Sequence, residues 1–262
     1  MGLVRKLKIL ALAIVLATGL AGCLGGGGGG SDSSVTAQDS SSVTAQDSEG
    51  LWDGTTNTGR NATAIVFNDG TYYMLYTGVN NTSISGVVQG SSSMSGNTLR
   101  SSDAKDFNLE GLGVLSASIS GKVVTKSTLN ADITYGGGGT VSFAGSYNSD
   151  YELQPLISSL VGQYSGQVAT SLGVEDADLT IFSDGSLSGL SDTGCSVTGN
   201  LYERTDGNAY NVQMTFANNN LCFFPGQTYV GIAYYDADGA ALYSAAPNAT
   251  RTDGLLFVGT KR

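Results

Sequence analysis

The side chains that most often carry enzyme chemistry are sparse in this chain of 262 residues. Histidine is absent, which excludes Ser-His-Asp and Cys-His catalysis, most zinc sites and the usual proton shuttle near neutral pH. The sequence has no G-x-S-x-G elbow, phosphate-binding loop or dinucleotide fingerprint. Hydrolysis by a carboxylate pair needs two acids that face one substrate, whereas the acids here are scattered and most stand beside glycine or asparagine. We therefore predict no catalytic residue, no cofactor and no enzymatic activity.

Two short acidic segments begin like calcium-binding loops. They are Asp236–Gly239 and Glu175–Asp178. Neither continues with the ligand spacing of such a loop or with its closing bidentate glutamate. We predict a hairpin turn at each segment and no metal site.

The three cysteines are the remaining reactive side chains. Cys23 lies near the amino terminus, and Cys195 and Cys222 lie in the last third of the chain. An even pair in a chain exported from the cytoplasm is typical of a disulfide bond. Free thiols and metal ligands are the alternatives, but no histidine and no C-x-x-C pair supports them. We predict a disulfide between Cys195 and Cys222.

The amino terminus has the three parts of a secretion signal. Basic Arg5, Lys6 and Lys8 precede the apolar run Ile9–Leu20, and Leu20-Ala21-Gly22-Cys23 follows. The apolar run is too short for a membrane span. Leu-Ala-Gly-Cys resembles the lipobox of bacterial lipoproteins, which implies cleavage before Cys23, a diacylglyceryl group on its sulfur and an acylated new amino terminus. Several acyl chains on one residue give stable anchoring. Residues 1–22 are thus predicted to be a signal peptide and Cys23 the lipidation site; the alternative is an ordinary signal peptide with a coincidental cysteine.

Residues 23–49 have the composition of a flexible tether. Gly25–Gly30 is an uninterrupted hexaglycine, and the octapeptide Ser33–Ser40 recurs unchanged at Ser41–Ser48. Gly/Ser-rich, polar segments behave as flexible coil because they bury too little apolar surface to offset the entropy of ordering. The segment from Leu20 to Gly30 resembles the anchors of Gram-negative surface lipoproteins such as the transferrin-binding protein B and factor H-binding protein families. That resemblance implies an outer-membrane location, facing the periplasm or the cell surface.

Net charge restricts the partners of the exported chain. Residues 1–22 hold three of the basic residues and no acid, so the remainder has 9 basic against 22 acidic residues, a net charge of −13. Such a surface repels nucleic acid and anionic lipid headgroups. We predict contact with the membrane only through the lipid anchor, no nucleic acid, and a protein or small molecule as the ligand.

Alternation of apolar and polar residues indicates strands from residue 50 onward. Apolar Tyr210, Val212, Met214 and Phe216 alternate with polar residues, which is typical of an antiparallel sheet with one buried face. Turn dipeptides separate the apolar runs: Asp69-Gly70, Asp184-Gly185, Asp206-Gly207, Asp238-Gly239 and Asp253-Gly254. We predict an all-β fold of small antiparallel barrels or sandwiches. The apolar runs are shorter than the strands of a transmembrane barrel, so we expect the body not to span the membrane.

A weak internal sequence repeat predicts two related lobes. Gly50–Gly54 (GLWDG) precedes Asp69-Gly70, as Gly162–Gly166 (GQYSG) precedes Asp184-Gly185. We predict β lobes at residues 50–148 and 162–262 that arose by duplication, joined by a linker at 149–161 that contains a short helix. Trp52 and Tyr164 should occupy equivalent places, and each lobe should be packed separately.

Aromatic residues supply the candidate binding positions. Trp52, Tyr72, Tyr76 and Tyr234 lie in predicted strands and offer rigid amphipathic rings of the kind found at binding surfaces. The alternatives are that Trp52 plugs one end of a barrel and that the tyrosines reflect ordinary strand propensity. The leading hypothesis is a non-enzymatic binding module at the outer membrane or cell surface. A structural envelope lipoprotein without a specific ligand and a barrel-type protease inhibitor are the alternatives.

Overall fold

The computed structural model describes residues 45–262. The predicted signal peptide, Cys23 and the tether up to residue 44 lie outside the described residues. Within the described part of the chain, no helix is both long enough and apolar enough to cross a membrane.

The first barrel consists of strands from residues 50–148. They are β1 (Gly50–Thr56), β2 (Asn61–Val66), β3 (Thr71–Thr77), β4 (Ile84–Ser91), β5 (Ser93–Ser95), β6 (Thr98–Asn108), β7 (Gly113–Val124), β8 (Thr128–Tyr135) and β9 (Thr140–Asn148). All consecutive strands except β4 and β5 pair antiparallel, and β1 pairs with β9. Because both β4 and the three-residue β5 pair with β6, they together occupy one of eight positions and close the barrel.

The second barrel repeats this up-and-down topology with residues 162–261. Its strands are β10 (Gly162–Thr170), β11 (Gly173–Ile181), β12 (Ser186–Ser191), β13 (Ser196–Glu203), β14 (Tyr210–Phe216), β15 (Thr228–Asp236), β16 (Ala241–Pro247) and β17 (Gly254–Lys261). Pairing of β10 with β17 closes it. The predicted all-β, two-lobe fold is therefore confirmed, and both lobes are closed barrels rather than sandwiches.

Alternating burial along the strands shows which side chains form the core of each barrel. On β14 the apolar residues Tyr210, Val212, Met214 and Phe216 are buried, while Asn211 and the other alternate positions are more exposed. β8 follows the same rule, with Leu129, Ala131 and Ile133 inside. Side chains on successive strand residues point to opposite faces, so each strand delivers every second residue to the barrel interior.

The two barrels begin with the same arrangement. Trp52 is the third residue of β1 and Tyr164 the third of β10, and both are fully buried. Each donates a hydrogen bond to the backbone carbonyl four residues earlier: Trp52 Nε1 to Ser48 at 3.2 Å, and the Tyr164 hydroxyl to Leu160 at 2.7 Å. In both cases the acceptor is the last residue of a short helix. The predicted equivalence of Trp52 and Tyr164 is confirmed, and each ring lies against a short helix that precedes its barrel.

The second hairpins also correspond. Gly70 and Gly185 have φ angles of +83° and +82°, which favour glycine. The amide of each donates to the carbonyl of the phenylalanine three residues before it, Phe67 or Phe182. In both turns the preceding aspartate accepts a hydrogen bond from the backbone two residues on. The two Asp-Gly dipeptides thus form turns of the same geometry in both barrels.

Each barrel has its own sheet and its own core, as predicted, but the two barrels also pack against each other. One apolar cluster draws Ile65, Phe67 and Tyr73 from the outer wall of the first barrel and Ile232 and Leu256 from the outer wall of the second. On β2 and β3 the inward residues fill the first barrel while the outward ones enter this cluster. Burial on both faces explains why these strands are nearly continuous apolar runs rather than alternating ones.

Two local features differ from the sequence prediction. Ala45–Ser48, predicted as the end of the tether, form a 3-10 helix, whose last carbonyl accepts the Trp52 hydrogen bond. Asp253-Gly254 is not a turn dipeptide, because Gly254 begins β17 and the buried Asp253 carboxylate accepts hydrogen bonds from the backbone and side chain of Ser171. As predicted, the linker contains a short helix, α1 (Ile157–Leu160), and it also holds a 3-10 helix at Ser149–Glu152. It packs on the second barrel, where the Tyr210 hydroxyl bonds the backbone of Leu156.

Candidate functional site: the cup of the first barrel

The first barrel is open at the end opposite to Trp52. The connections β1–β2, β3–β4, β6–β7 and β8–β9 surround a cavity of about 680 Å³, which we name the cup. Each connection contributes residues to its wall. In chain order they are Thr56 and Arg60, Val79, Glu110 and Leu112, and Gly136–Gly138. Ligand sites in proteins typically have volumes of roughly 300–1,000 Å³, so the cup is large enough for a small molecule or an inserted side chain.

A carboxylate lies inside the cup. Asp106 on β6 is only 3% exposed. Its Oδ1 accepts a hydrogen bond from the Tyr76 hydroxyl at 2.7 Å, and its Oδ2 accepts one from the Tyr135 hydroxyl at 2.8 Å. The side-chain amide of Asn108 donates to the Tyr76 oxygen at 3.1 Å. β3, β6 and β8 thus each direct a polar inward side chain to one point of the barrel.

The electrostatics of this cluster follow from burial. Loss of water raises the pKa of Asp106, against the opposite effect of the two tyrosine hydroxyls that donate to it. Burial and the neighbouring carboxylate likewise raise the pKa of Tyr76 and of Tyr135, so both phenols stay protonated as donors at neutral pH. Hydrogen bonds to a charged group are stronger than neutral ones, and the two tyrosines hold the carboxylate in one orientation.

Arg60 and Glu110 form a second polar pair at the edge of the cup. The guanidinium donates to both Glu110 oxygens, at 3.1 and 2.7 Å, and to the carbonyl of Thr77 at 2.8 Å. It also lies 5.4 Å from the centre of the Tyr76 ring. The hydrogen bond from Arg60 lowers the pKa of Glu110. Arg60 is therefore hydrogen-bonded to Glu110, and no cation among the described residues is hydrogen-bonded to Asp106, although the charge of Arg60 lowers the pKa of Asp106.

Apolar side chains lie beside this polar cluster. Val79 and Leu112 are 48% and 66% exposed, and Leu115 lies in the same wall. Deeper in the barrel the wall is formed by Met74, Val88 and Ile133. Exposed apolar groups beside a polar cluster are typical of a site that contacts both parts of an amphipathic ligand.

The equivalent end of the second barrel is closed. Residues 217–227 connect β14 to β15 over this end, whereas residues 109–112 make the corresponding β6–β7 connection of the first barrel. Cys222 in the longer loop is disulfide-bonded to Cys195 in the β12–β13 turn, with a Cα–Cα distance of 4.7 Å, so the predicted pair is bonded. The cavity that remains is about 50 Å³, well below the roughly 150 Å³ that accommodates benzene.

The four predicted binding residues lie in different places. Tyr76 lines the cup. Tyr72 lies four residues before Tyr76 on the same strand and is buried. Its hydroxyl is hydrogen-bonded to Ser101 Oγ at 2.9 Å. Trp52 is buried in the core at the opposite end of the barrel, and Tyr234 packs in the apolar cluster between the barrels. The structure therefore brings only Tyr76 to the cup; binding by the other three stays a prediction.

Sequence reasoning missed Asp106 for a specific reason. Leu99 and Ser101 point inward on β6, so strict alternation continues the inward set at residues 103 and 105 and places Asp106 outside. A β-bulge between Ser101 and Ala104 shifts the register, so that Ala104, Asp106 and Asn108 point inward instead. One extra residue in a strand reverses its faces. The one available signal was the run of small and polar residues at 101–104, which breaks the alternation.

Of the two acidic segments that begin like calcium loops, Asp236–Gly239 forms the predicted hairpin turn, but the turn predicted at Glu175–Asp178 is wrong because that segment is strand. Glu175–Asp178 lies within β11, and Asp236 ends β15 with its carboxylate capping the backbone of Asp238 and Gly239. Among the described residues, no group of three or more histidine, cysteine or acidic side chains is placed to hold a metal ion.

Comparison with known proteins finds structural likeness only at low scores. No protein-family model matches the chain, and no curated protein matches its sequence. Among solved structures, isotype 1 transferrin binding protein B from serogroup B Neisseria meningitidis matches with a TM-score of 0.31 and 8% identity over 78% of this chain. A double mutant and a single mutant of transferrin binding protein B from Haemophilus parasuis Hp5 each match with a TM-score of 0.27, at 9% and 7% identity over 77% and 78% of this chain. The chain covers 65–66% of these proteins, slightly less than two thirds of their length. Likeness at these scores carries no conclusion about the ligand of this chain.

Proposed function

We propose that this chain is a non-enzymatic binding module, held at the outer membrane by lipid on Cys23, that receives its ligand in the cup of the first barrel. The observation that carries the proposal is the contrast between two equivalent barrel ends. One is sealed by a disulfide-bonded loop. The other is open, and a buried carboxylate and two tyrosine hydroxyls meet at its wall. A barrel with a purely structural role has no need of a buried carboxylate, because burying a charge without a cation partner costs free energy.

Gly137 offers a way to block the cup without disturbing the fold. It lies in the β8–β9 connection, and a Cβ atom built on it meets nothing within 4 Å. Gly137→Trp places a large ring at the opening, while Gly137→Ala adds one methyl group and serves as the matched control. Full-length lipoprotein in detergent should be screened against a mixed library of small acids, bases and neutral molecules by ligand-observed NMR.

We expect at least one compound to bind the wild type and Gly137→Ala but to lose binding in Gly137→Trp. A screen in which every bound compound also binds Gly137→Trp, or in which nothing binds, contradicts the proposal. Binding that is lost only in Gly137→Trp also decides against the structural-lipoprotein alternative, which gives the cup no ligand. The protease-inhibitor alternative is tested directly by an inhibition assay with intact protease.

The anchor belongs to the proposal as well, since it rests on the residues around Cys23 alone. Cys23→Ser should abolish incorporation of labelled palmitate and release the protein from the membrane fraction. Equal labelling of the variant and the wild type contradicts lipidation at Cys23. Digestion of the wild type by added protease on intact cells distinguishes exposure at the cell surface from a periplasmic position.

A further inference from the structure

We infer that the cup takes a ligand with a primary ammonium group on an alkyl chain, and that the Asp106 carboxylate is the group that binds the ammonium. The inference rests on the proposed function, because it names the chemistry of the same site.

The charged groups that line the cup do not balance. They are Asp106, Glu110 and Arg60, which leaves one surplus negative charge when all three are ionised. Arg60 bonds both oxygens of Glu110, so the surplus is on Asp106, the most buried of the three. Buried charges in proteins are normally paired. A cationic ligand supplies the missing partner, whereas an anion meets two carboxylates and a neutral ligand leaves the buried charge uncompensated.

The contacts of Asp106 favour an ammonium over a guanidinium. A guanidinium binds a carboxylate best through two parallel hydrogen bonds in one plane. Each Asp106 oxygen already accepts one tyrosine hydroxyl, which takes part of that plane. An ammonium is a compact donor with three hydrogens. It can donate to the carboxylate and to a tyrosine oxygen together.

The path from Asp106 to solvent fits an alkyl chain. Met74 and Val88 lie on the wall at the depth of the barrel interior, and Val79, Leu112 and Leu115 lie nearer to solvent. Burial of methylene groups against such side chains stabilises the bound ligand. The same chemistry has two sources, a free alkylamine and a lysine side chain of a protein, and both are covered by the test.

The test compares three six-carbon probes that differ only in charge: hexylamine, hexanol and hexanoate. Binding to full-length lipoprotein in detergent is measured by calorimetry at neutral pH. We expect hexylamine to bind at least about tenfold more tightly than hexanol and hexanoate to bind most weakly. This comparison needs no variant, so it does not depend on the folding of a mutant. Nα-acetyl-lysine methylamide is the fourth probe: binding comparable to hexylamine indicates a lysine side chain as the source, and binding about tenfold weaker indicates a free amine.

Variants then assign the effect to Asp106. Asp106→Asn should remove the preference for hexylamine over hexanol, whereas Asp132→Asn, on the outward face of β8, should keep it. Equal binding of hexylamine and hexanol to the wild type, or a preference that survives in Asp106→Asn, overturns the inference. If hexanol binds without an ammonium preference and Gly137→Trp abolishes that binding, the proposed function stands and only this inference fails. If no probe binds and the mixed library also yields no ligand, both fail.

Discussion

At the scale of single residues, glycines in β4 set the position of the tyrosines in the first barrel. Gly86 pairs with Tyr76 and Gly90 with Tyr72 across the β3–β4 ladder. A Cβ atom on either glycine would overlap the tyrosine hydroxyl opposite to it. The absence of a side chain on β4 therefore lets each phenol cross above its partner strand, where Tyr76 reaches Asp106 and Tyr72 reaches Ser101.

Gly86→Ala should disturb the cup specifically. The added methyl group displaces the Tyr76 hydroxyl and breaks its hydrogen bond to Asp106, and we expect a loss of about 1–3 kcal/mol in the free energy of unfolding. Gly137→Ala, which meets no neighbouring atom, is the matched control. Urea unfolding followed by tyrosine fluorescence measures both. Equal stability of the two variants would show that Gly86 is not needed for close approach.

Tyr72 should contribute to the alkaline limit of stability. Burial raises its pKa from 10.0 to about 12. Since the folded state holds the proton more tightly than the unfolded state, the stabilisation is complete below pH 10.0 and is lost as the pH rises toward about 12. We expect the free energy of unfolding to fall less steeply over this interval in Tyr72→Phe than in the wild type. Parallel pH profiles for the two proteins would contradict this assignment.

At the scale of elements, the positions of the turns were predictable from the sequence. Which residues of a strand face the barrel interior was only partly predictable. Asp69-Gly70 and Asp184-Gly185 form the predicted turns because Gly supplies the positive φ and Asp bonds the local backbone. The inward face of β6 was not predictable, since this strand contains a bulge and few apolar residues. Contacts between the barrels were missed because an apolar run such as Ala62–Phe67 does not by itself reveal that its outer face meets another part of the chain.

The loop over the second barrel depends on its disulfide. Cys195 and Cys222 are 27 residues apart, so the loop-entropy relation gives about 3.5 kcal/mol of stabilisation. The double variant Cys195→Ser, Cys222→Ser should lose most of this amount in urea unfolding. Wild-type protein treated with a reductant is the control and should show the same loss. An unchanged free energy of unfolding in both would mean that the bond does not restrain this loop.

At the scale of the whole molecule, the barrels share an interface that joins their unfolding. Besides the apolar cluster, Arg204 of the second barrel lies 3.7 Å from the centre of the Phe67 ring and pairs with Asp206, which in turn accepts a hydrogen bond from the backbone of Asn68. At another point Arg251 bonds Asp103 and the carbonyl of Gln89 in the first barrel. Apolar burial reinforced by partly buried ion pairs favours one rigid body.

We expect wild-type protein to unfold in one calorimetric transition. Ile232→Asp places a charge in the interface cluster and should separate the barrels into two transitions, because an unpaired buried charge costs several kcal/mol. Val230→Asp lies on the same strand at a position that is 58% exposed and should leave one transition. Two transitions already present in the wild type, or one unchanged transition in Ile232→Asp, would contradict joint unfolding.

The most direct test of the account is a crystal structure of the protein grown with hexylamine. We predict density for one probe in the cup, with its nitrogen within hydrogen-bond distance of the Asp106 carboxylate and its alkyl chain directed toward Leu112 at the opening. The closed end of the second barrel should hold no probe. An empty cup in crystals that bind hexylamine elsewhere on the described chain would contradict the central claim that this barrel end is the binding site.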